Sequence, residues 1–198
     1  MRVNIIGNGP SVSLYKDDIE NKNIICNIPN VKVSKVFASV MVDFKMMRAL
    51  NEGKLNNDKY EWVLGFRPDK YREENPSFKM KYAGNVKDYY TRIPDYAGGP
   101  TNFNCGHVAT HYACTKIKPT EIHMYGFDSL FDHTITSLTD NHLEANRLPQ
   151  NVDRLTKIWR EVWINLFREF PRITFVVHHL HSDMKINIPK NVKIIVGE

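Results

Sequence analysis

The sequence lacks the long apolar run that a membrane-spanning helix requires. No stretch approaches the roughly 18 apolar residues that cross a bilayer, which excludes an integral membrane protein. The opening residues, MRVNIIGNGPS, contain one arginine, a short apolar core and no small-residue cleavage site, so they are not typical of a secretory signal. We therefore expect a cytoplasmic protein without a transmembrane segment.

Cysteine is scarce, and the basic residues do not cluster. The three cysteines include no CxxC pair, and an odd number of thiols favours reduced cysteines over a disulfide framework. Lys and Arg number 27 against 22 Asp and Glu, which gives a net charge of +5 and a pI near 9.0. This excess suits an anionic ligand such as a nucleotide or phosphate, whereas the scattered cations argue against nucleic-acid binding.

Repeats, low-complexity tracts and linkers are also absent, and we interpret residues 1–198 as one domain. Hydrophobic residues make up 42% of the chain and charged residues 25%. That balance is typical of globular proteins and excludes a disordered or fibrous chain. It is equally compatible with a monomer and with a homo-oligomer.

Apolar runs that alternate with helical patterns predict an α/β fold. Strands are predicted at 2–7, 23–27, 35–40, 60–64, 121–125, 173–177 and 192–196. Helical spacing predicts helices at 42–50, 104–116 and 151–170, the last with Asn151 as its N-cap. This alternation predicts a single Rossmann-like, doubly wound, mostly parallel sheet with helices on both faces.

Between about residues 65 and 101 the periodicity fails. A structureless stretch of that length is usually functional or wrongly assigned, and we interpret it as an irregular excursion over the active edge of the sheet, with room for one short helix or strand. The tyrosines and lysines of residues 70–96 could receive a sugar or a base, since rings stack on such ligands and cations bind anions. A solvated loop is the other interpretation.

The most informative motif directly follows the first predicted strand and consists of Gly7, Asn8, Gly9, Pro10 and Ser11. In doubly wound sheets, ligands bind beyond the carboxyl ends of the strands, where backbone N–H groups and helix N-termini favour anions. Asn8 offers a donor and an acceptor, Pro10 suits a first helical turn, and Ser11 can hydrogen-bond a phosphate or ribose. A tight turn without a ligand is the alternative, because the GxGxxG fingerprint and the P-loop Lys-Ser/Thr pair are missing.

The GNGPS loop and two further segments resemble the bacterial sialyltransferases that modify lipo-oligosaccharides. The Cys-Asn pair that ends in Asn27 closes the second predicted strand, and in that family the loop and the Asn line the pocket for a CMP-sugar. The turn, helix and strand of residues 104–128 resemble the family's helix-then-strand unit. The loop and Rossmann-like core are also similar to those of the archaeal-type hydroxymethylpterin diphosphokinases.

The sialyltransferase resemblance implies transfer of a sugar from a CMP-sugar donor to a glycan acceptor, with no obligatory metal or other cofactor. It implies that the GNGPS loop cradles the phosphate and ribose and that Asn27 contacts the nucleotide. The turn that opens the following helix would place further groups beside the nucleotide: Asn104, Cys105 and Gly106. Asp128 closes a predicted strand, where it could bind a ribose hydroxyl or hold a loop.

The resemblance also implies a catalytic histidine. In the family, a His after the GxD strand acts as general base and tyrosines assist the leaving phosphate. His142 stands at the corresponding place, and an imidazole titrates near physiological pH; an exposed loop His is the alternative. The intervening SLFDHTITSLTD contains no tyrosine, so His133 or Thr136 is the available replacement.

Two other functions stay open at this point. A diphosphokinase-like phosphoryl transferase would use ATP and Mg²⁺ held by carboxylates, for which Asp43 and Asp128 are the candidates. A non-catalytic nucleotide- or sugar-binding module of the same fold would account for the missing tyrosines.

Histidine-rich segments raise a metal hypothesis. His107 and His111 share a helical face near Cys114 but lack an HExxH or CxxC framework, so we predict packing at a helix–sheet interface and no metal site. The HHLH cluster of residues 178–181 follows a late strand. It is either an exposed loop or, at the carboxyl edge, a phosphate contact when protonated.

Overall fold

Eight parallel strands form one sheet in the computed structural model, which describes residues 1–130, 149–180 and 187–197. In spatial order the strands are β5-β4-β3-β2-β1-β6-β7-β8. Strands β2 to β5 are added on one side of β1 and strands β6 to β8 on the other, so the strand order reverses between the neighbours β1 and β6. The strands are β1 Arg2–Ile6, β2 Lys22–Cys26, β3 Val36–Met41, β4 Trp62–Leu64, β5 Val86–Tyr89, β6 Glu121–Tyr125, β7 Thr174–His179 and β8 Val192–Val196.

Five α-helices accompany the sheet in the described residues. They are α1 Phe44–Asn51, α2 Phe66–Glu74, α3 Pro76–Lys81, α4 Cys105–Tyr112 and α5 Pro149–Glu169. Helix α4 continues as a π-helical turn over Ala113–Ile117. None of the helices in the described ranges is long and apolar enough to cross a membrane.

The alternation of side chains along each strand divides the core between the two faces of the sheet. One face packs against α4 and α5 and includes Val3, Ile5, Ile24, Val40 and Val63. On the other face, α1, α2 and α3 cover β3 and β4, and a short 3-10 helix covers β1 and β2. The predicted α/β fold with a parallel sheet and helices on both faces is thus confirmed.

The prediction of an irregular excursion over residues 65–101 is wrong. This segment contains α2, α3 and the edge strand β5. Strand β5 is not predicted from the sequence because its residues, VKDY, alternate between half-buried and exposed and contain no apolar run. Helix α2 reads FRPDKYREE, which has no continuous apolar stripe at helical spacing.

Two smaller expectations are also corrected by the structure. Helix α5 begins at Pro149, so Asn151 lies within its first turn and is not the N-cap. His178 and His179 belong to β7 and not to a loop, because the strand pairs with β8 through to its last residue. His179 is completely buried, which a sequence of consecutive polar residues did not suggest.

The buried Arg72 provides a test of the packing around α2. Its side chain is 3% exposed, and among the described residues its Nε and Nη1 atoms have no hydrogen-bond partner. Nη2 donates to the Lys79 carbonyl at 3.3 Å, and burial lowers the pKa of the guanidinium. A buried cation without a carboxylate partner costs free energy.

We expect Arg72→Met to increase the free energy of unfolding by about 1 kcal/mol, because methionine fills the space without burying a charge. Urea unfolding of the wild type and the variant measures the difference. Arg72→Ala is the control, and it should destabilise the protein by leaving a cavity. A stability loss in Arg72→Met as large as that in Arg72→Ala would show that the charge itself is required.

Candidate functional site

The segments that the sequence singled out for nucleotide binding meet at the carboxyl ends of β1, β2 and β3. The GNGPS loop follows β1, Asn27 follows β2, and α4 begins over the ends of β2 and β3. The Cys105 Sγ lies 2.8 Å from the Val40 carbonyl oxygen and 3.9 Å from Asn27 Oδ1. Residues 78 positions apart in the sequence are thus neighbours at one edge of the sheet.

Most backbone donors of the GNGPS loop bind the chain itself. Gly7 N–H donates to the Tyr125 carbonyl at 2.7 Å, and Gly9 N–H donates to the Gly126 carbonyl at 2.9 Å. Ser11 N–H donates to the Asp128 carboxylate at 2.9 Å. Only part of the loop is therefore open to a phosphate, and its role as a phosphate cradle stays a prediction. Pro10 is exposed at the first position of the 3-10 helix.

The glycines of the loop permit close packing of two chain segments. A Cβ atom on Gly7 would lie 2.6 Å from the Gly126 carbonyl oxygen, and one on Gly9 would overlap the Asp128 carboxylate. Gly126 itself has a φ of +75°, which favours glycine. These glycines are required because the loops after β1 and β6 touch, whether or not a ligand approaches.

Asp128 holds the GNGPS loop in place. Its carboxylate is 1% exposed and accepts hydrogen bonds from both the backbone N–H and the hydroxyl of Ser11. The Ser11 hydroxyl oxygen accepts a further bond from Leu180 N–H, just beyond β7, at 3.1 Å. Of the two roles that the sequence left open for Asp128, this geometry favours holding the loop over binding a ribose.

Asn8 and Asn27 differ in whether their side-chain amide groups are free to bind a ligand. Asn8 Nδ2 donates to the Cys26 carbonyl at 2.7 Å, and its Oδ1 accepts from Asn30 at 2.8 Å. Asn27 has a φ of +58°, a conformation that asparagine tolerates. Its amide nitrogen Nδ2 has no hydrogen-bond partner in the part of the chain that the structure describes. Asn27 therefore provides a free donor at the site, whereas Asn8 braces the ends of β1 and β2.

The N-terminus of α4 is shaped by a capping box. His107 N–H donates to Asn104 Oδ1 at 3.1 Å, and Asn104 N–H donates to His107 Nδ1 at 3.1 Å. Within the described residues, the N–H groups of Cys105 and Gly106 have no acceptor. Two free donors at the positive end of a helix are suited to binding an anion. The sequence did not reveal this box because its third position is usually Glu or Gln.

The Cys105 thiol is a hydrogen-bond donor in this arrangement and not a nucleophile. Burial, followed by the neighbouring Cys26, raises the pKa of Cys105 well above its ordinary value. The neutral thiol donates to the Val40 carbonyl, which links α4 to the end of β3. Reactive cysteines need the opposite shift toward the thiolate.

A narrow cleft that the sequence did not predict lies beside α4, at the carboxyl ends of β3 and β4. Apolar side chains, Gly65 and one cation, Arg67, line it. Arg67 Nη1 donates to Asp43 Oδ1 at 3.1 Å. Asp43 and Asp128, the candidate Mg²⁺ ligands of the diphosphokinase hypothesis, therefore have separate partners. The described residues contain no group of three or more side chains arranged to hold a metal.

The histidine face of α4 packs against α5. His107 Nε2 bonds to the Trp159 carbonyl at 3.1 Å, and its ring stacks on Phe103. His111 is also fully buried and bonds to Glu169 Oε2 at 3.0 Å and to the Tyr90 hydroxyl. Both histidines pack inside the protein, but the predicted helix–sheet interface is wrong, because their main partners lie on α5.

Several tyrosines of residues 70–96 also have structural partners. Tyr71 and Tyr82 pack with Phe78 beneath α2 and α3. Tyr90 is buried, and the Tyr96 hydroxyl donates to Glu169 at 2.8 Å. Their hydroxyls and rings are engaged within the chain, so the predicted contact of this segment with a sugar or base has to come from other residues.

The late histidines lie away from the free donors described above. His178 stacks on Tyr125 with ring centroids 4.2 Å apart, and its Nε2 bonds to His123 Nδ1 at 2.9 Å. Burial lowers the pKa of His178 to about 4, so its imidazole is neutral at physiological pH. The neutral ring of His178 does not provide the protonated phosphate contact that the sequence suggested. His181 lies outside the described residues.

The predicted catalytic residues also lie outside the described part of the chain. His142, His133 and Thr136 all fall within residues 131–148. Their assignment stays a prediction from the sequence. Comparison of this chain with protein-family models, with curated proteins and with solved structures finds no match.

The bonds between Asp128 and Ser11 should be a major determinant of stability. Asp128→Ala leaves two buried donors of Ser11 without an acceptor, and each unsatisfied donor costs about 1–3 kcal/mol. We expect a loss of about 2–6 kcal/mol in the free energy of unfolding, measured with urea. The exposed Asp58 is the control, and Asp58→Ala should change stability by less than about 0.5 kcal/mol. Equal effects of the two substitutions would contradict this role of Asp128.

His107 should make the stability of the fold depend on pH. Burial lowers the pKa of His107 from its ordinary 6.5 to about 3. Between these values the unfolded chain binds a proton at this residue and the folded chain does not, so stability falls as the pH falls from 6.5 toward 3. Near pH 4.5 the loss from this residue should be about 3 kcal/mol.

The matched variant is His107→Gln, which keeps a hydrogen-bonding side chain at the third position of the capping box and removes the titrating group. Its stability should fall less steeply between pH 6.5 and 4.5 than that of the wild type, as measured by urea unfolding at each pH. Identical slopes would show that other groups cause the pH dependence.

Proposed function

We propose that this chain is a glycosyltransferase that binds a CMP-sugar and transfers the sugar to a glycan acceptor. The observation that supports the proposal is the convergence of Asn27 with the N-terminus of α4, where Cys105 Sγ and Asn27 Oδ1 are 3.9 Å apart. Both segments were selected from the sequence for the same nucleotide pocket. The proposal includes a cytoplasmic location, on the sequence grounds given above.

The phosphate of the donor would bind at the N-terminus of α4. The N–H groups of Cys105 and Gly106 supply hydrogen bonds, and the helix dipole supplies a partial positive charge. The free amide nitrogen of Asn27 would donate to the nucleotide from the neighbouring strand. Asn104 is committed to the capping box, so it would hold the helix end in shape without touching the ligand.

The GNGPS loop would define the other side of the nucleotide site. Gly7, Gly9, Ser11 and Asp128 hold the loop against β6, and Asn8 holds it to the end of β2. This arrangement fixes the position of the loop relative to Asn27. The loop would therefore contribute shape and the exposed surface around Pro10, with fewer backbone donors than a phosphate cradle requires.

The chemical step would be displacement at the anomeric carbon of the donor. The acceptor hydroxyl forms the new C–O bond, its proton passes to His142, and the bond to the phosphate breaks with its electron pair remaining on CMP. His133 would hydrogen-bond the departing phosphate in place of the family's tyrosines. These two roles are assigned from the sequence resemblance alone. No metal is needed in this scheme, since the α4 donors offset the charge of the phosphate.

Thermal unfolding in the presence of nucleotides tests the proposal. A ligand at about 100 times its Kd adds about 2.7 kcal/mol, which should raise Tm by about 5–11 °C for a chain of this size. We expect this increase with CMP, with or without Mg²⁺, and not with UMP, GMP or AMP. Release of CMP from CMP-sugars in the presence of a glycan acceptor then tests transfer, and His142→Ala should abolish it.

A pair of glycine variants separates the side chain of Asn27 from its backbone conformation. Asn27→Gly keeps the left-handed conformation and removes the free amide, so CMP should bind about fivefold more weakly. Lys118 is the matched control, because it also has a positive φ, +55°, and is exposed. Lys118→Gly should leave the Kd for CMP unchanged. Equal Kd values for the two variants would remove Asn27 from the site.

Other outcomes would identify the alternative functions. A Tm increase with ATP that requires Mg²⁺ would favour a diphosphokinase-like phosphoryl transferase. CMP binding without turnover of any CMP-sugar, and unchanged in His142→Ala, would favour a non-catalytic binding module. No Tm increase with any nucleotide would overturn the nucleotide site.

A further inference from the structure

We propose that the outer edge of β8 pairs with the β8 strand of a second copy of this chain, so that two sheets join across a twofold axis. Strand β8 ends the sheet, and in the described residues no strand pairs with its other side. The composition was compatible with a monomer and with a homo-oligomer, and this edge favours the oligomer. The inference goes beyond the proposed function and does not depend on it.

Exposed apolar side chains collect around this edge. Ile195 is 46% exposed and Val196 is 50% exposed, and they lie on opposite faces of β8 because successive side chains of a strand alternate. Leu180, which follows β7, and Ile188, which precedes β8, are exposed as well. Native proteins cover or charge the edges of their sheets. An open apolar edge therefore indicates a partner strand.

The opposite edge of the sheet carries charges instead. Strand β5 contains Lys87, which pairs with Glu61, and Asp88, which pairs with Lys116 at 3.6 Å. Charged side chains on an edge strand oppose pairing with another chain. Strand β8 has a single charged residue, Lys193. The chain thus protects one edge of its sheet and leaves the other suited to a partner.

The hydrogen bonds between β7 and β8 show which backbone groups of β8 point outward. Phe175 N–H donates to the Asn191 carbonyl at 2.8 Å, and Gly197 N–H donates to the His179 carbonyl at 2.8 Å. Because the backbone groups of a strand point alternately to its two sides, the odd-numbered residues of β8 bond to β7. The even-numbered residues direct their N–H and C=O groups to the outer edge: Val192, Ile194 and Val196.

These outward groups are complementary to a second copy that runs antiparallel. With the twofold axis at Ile194, the N–H and C=O of this residue exchange both hydrogen bonds with the partner's Ile194. Val196 N–H then donates to the partner's Val192 carbonyl, and the symmetry repeats this bond. Val192 N–H needs no partner in the second copy, because it already donates to the Pro189 carbonyl of its own chain at 3.0 Å.

The side chains fit the same register. Residues directly opposite each other in an antiparallel pair share a face, and the axis at Ile194 places Lys193 opposite the partner's Ile195. An axis at Lys193 would place two lysines opposite each other, where like charges repel, and an axis at Ile195 would pair a shorter segment. A second copy of this chain is therefore the partner that the edge fits, with the axis at Ile194.

The mass of the full-length chain in solution tests the pairing. In sedimentation equilibrium, the mass should rise with concentration toward twice the 23.1 kDa of one chain. Ile195→Lys places a lysine opposite the partner's Lys193, so we expect the Kd of the dimer to rise at least about tenfold. The control is Met80→Lys, at an exposed apolar residue of α3, which should leave the Kd unchanged. A chain that stays monomeric at every concentration would leave the edge to a strand of another protein and overturn the proposal.

A compensating substitution separates a lost interface from a misfolded strand. Adding Lys193→Glu to Ile195→Lys brings opposite charges together across the twofold axis, so the Kd should fall back toward the wild-type value. A double variant that stays monomeric while it unfolds at the wild-type Tm would contradict the register.

Paired cysteines test the register directly. A mixture of Lys193→Cys chains and Ile195→Cys chains should form a disulfide on oxidation, because these positions face each other with Cα atoms about 4.5 Å apart. Either variant alone should not, since its two new cysteines would be about 7–8 Å apart. The wild-type chain, which keeps its three free cysteines, is the control. Mass spectrometry identifies the products, and a mixture without the mixed disulfide would overturn the proposed pairing.

Discussion

The contact between the loops after β1 and β6 is the constraint on which the candidate site depends. Ser11 and Asp128 are 117 positions apart in the sequence. Their buried hydrogen bonds join the two halves of the sheet between β1 and β6, where the order of the strands reverses. In doubly wound sheets this crossing is the usual place for a ligand. Here the crossing is filled by the protein's own polar groups. Among the described residues of the site, the free donors belong instead to Asn27, after β2, and to Cys105 and Gly106, at the start of α4.

Helix α4 is the second element that positions the site, and its buried histidines determine where it lies. His107 completes the capping box and reaches Trp159, while His111 reaches Glu169. The helix is therefore attached to α5 along its length and presents its first turn to the ends of β2 and β3. Residues that looked like metal ligands in the sequence thus orient the N–H groups proposed to bind a phosphate.

Much of the fold could be predicted from the sequence, because strands buried on both faces of a parallel sheet appear as apolar runs. Seven strands were found in this way, whereas β5, a short edge strand with charged residues, was not. The site was only partly predictable. The sequence identified Asn27 and the turn before α4, but the partners of Ser11 and the pairing of Asp43 with Arg67 depend on residues that only the fold brings together.

The central position of β1 also affects how the chain is made. Strand β1 pairs with β2 and with β6, and the second pairing begins about 119 positions later in the sequence. At about 5–20 residues per second, a ribosome needs roughly 6–24 seconds to synthesise the intervening segment. During that interval one edge of β1, an apolar strand, has no partner. An unpaired strand edge is a template for pairing with other chains. The nascent protein thus passes through a period of aggregation risk whose length is set by translation.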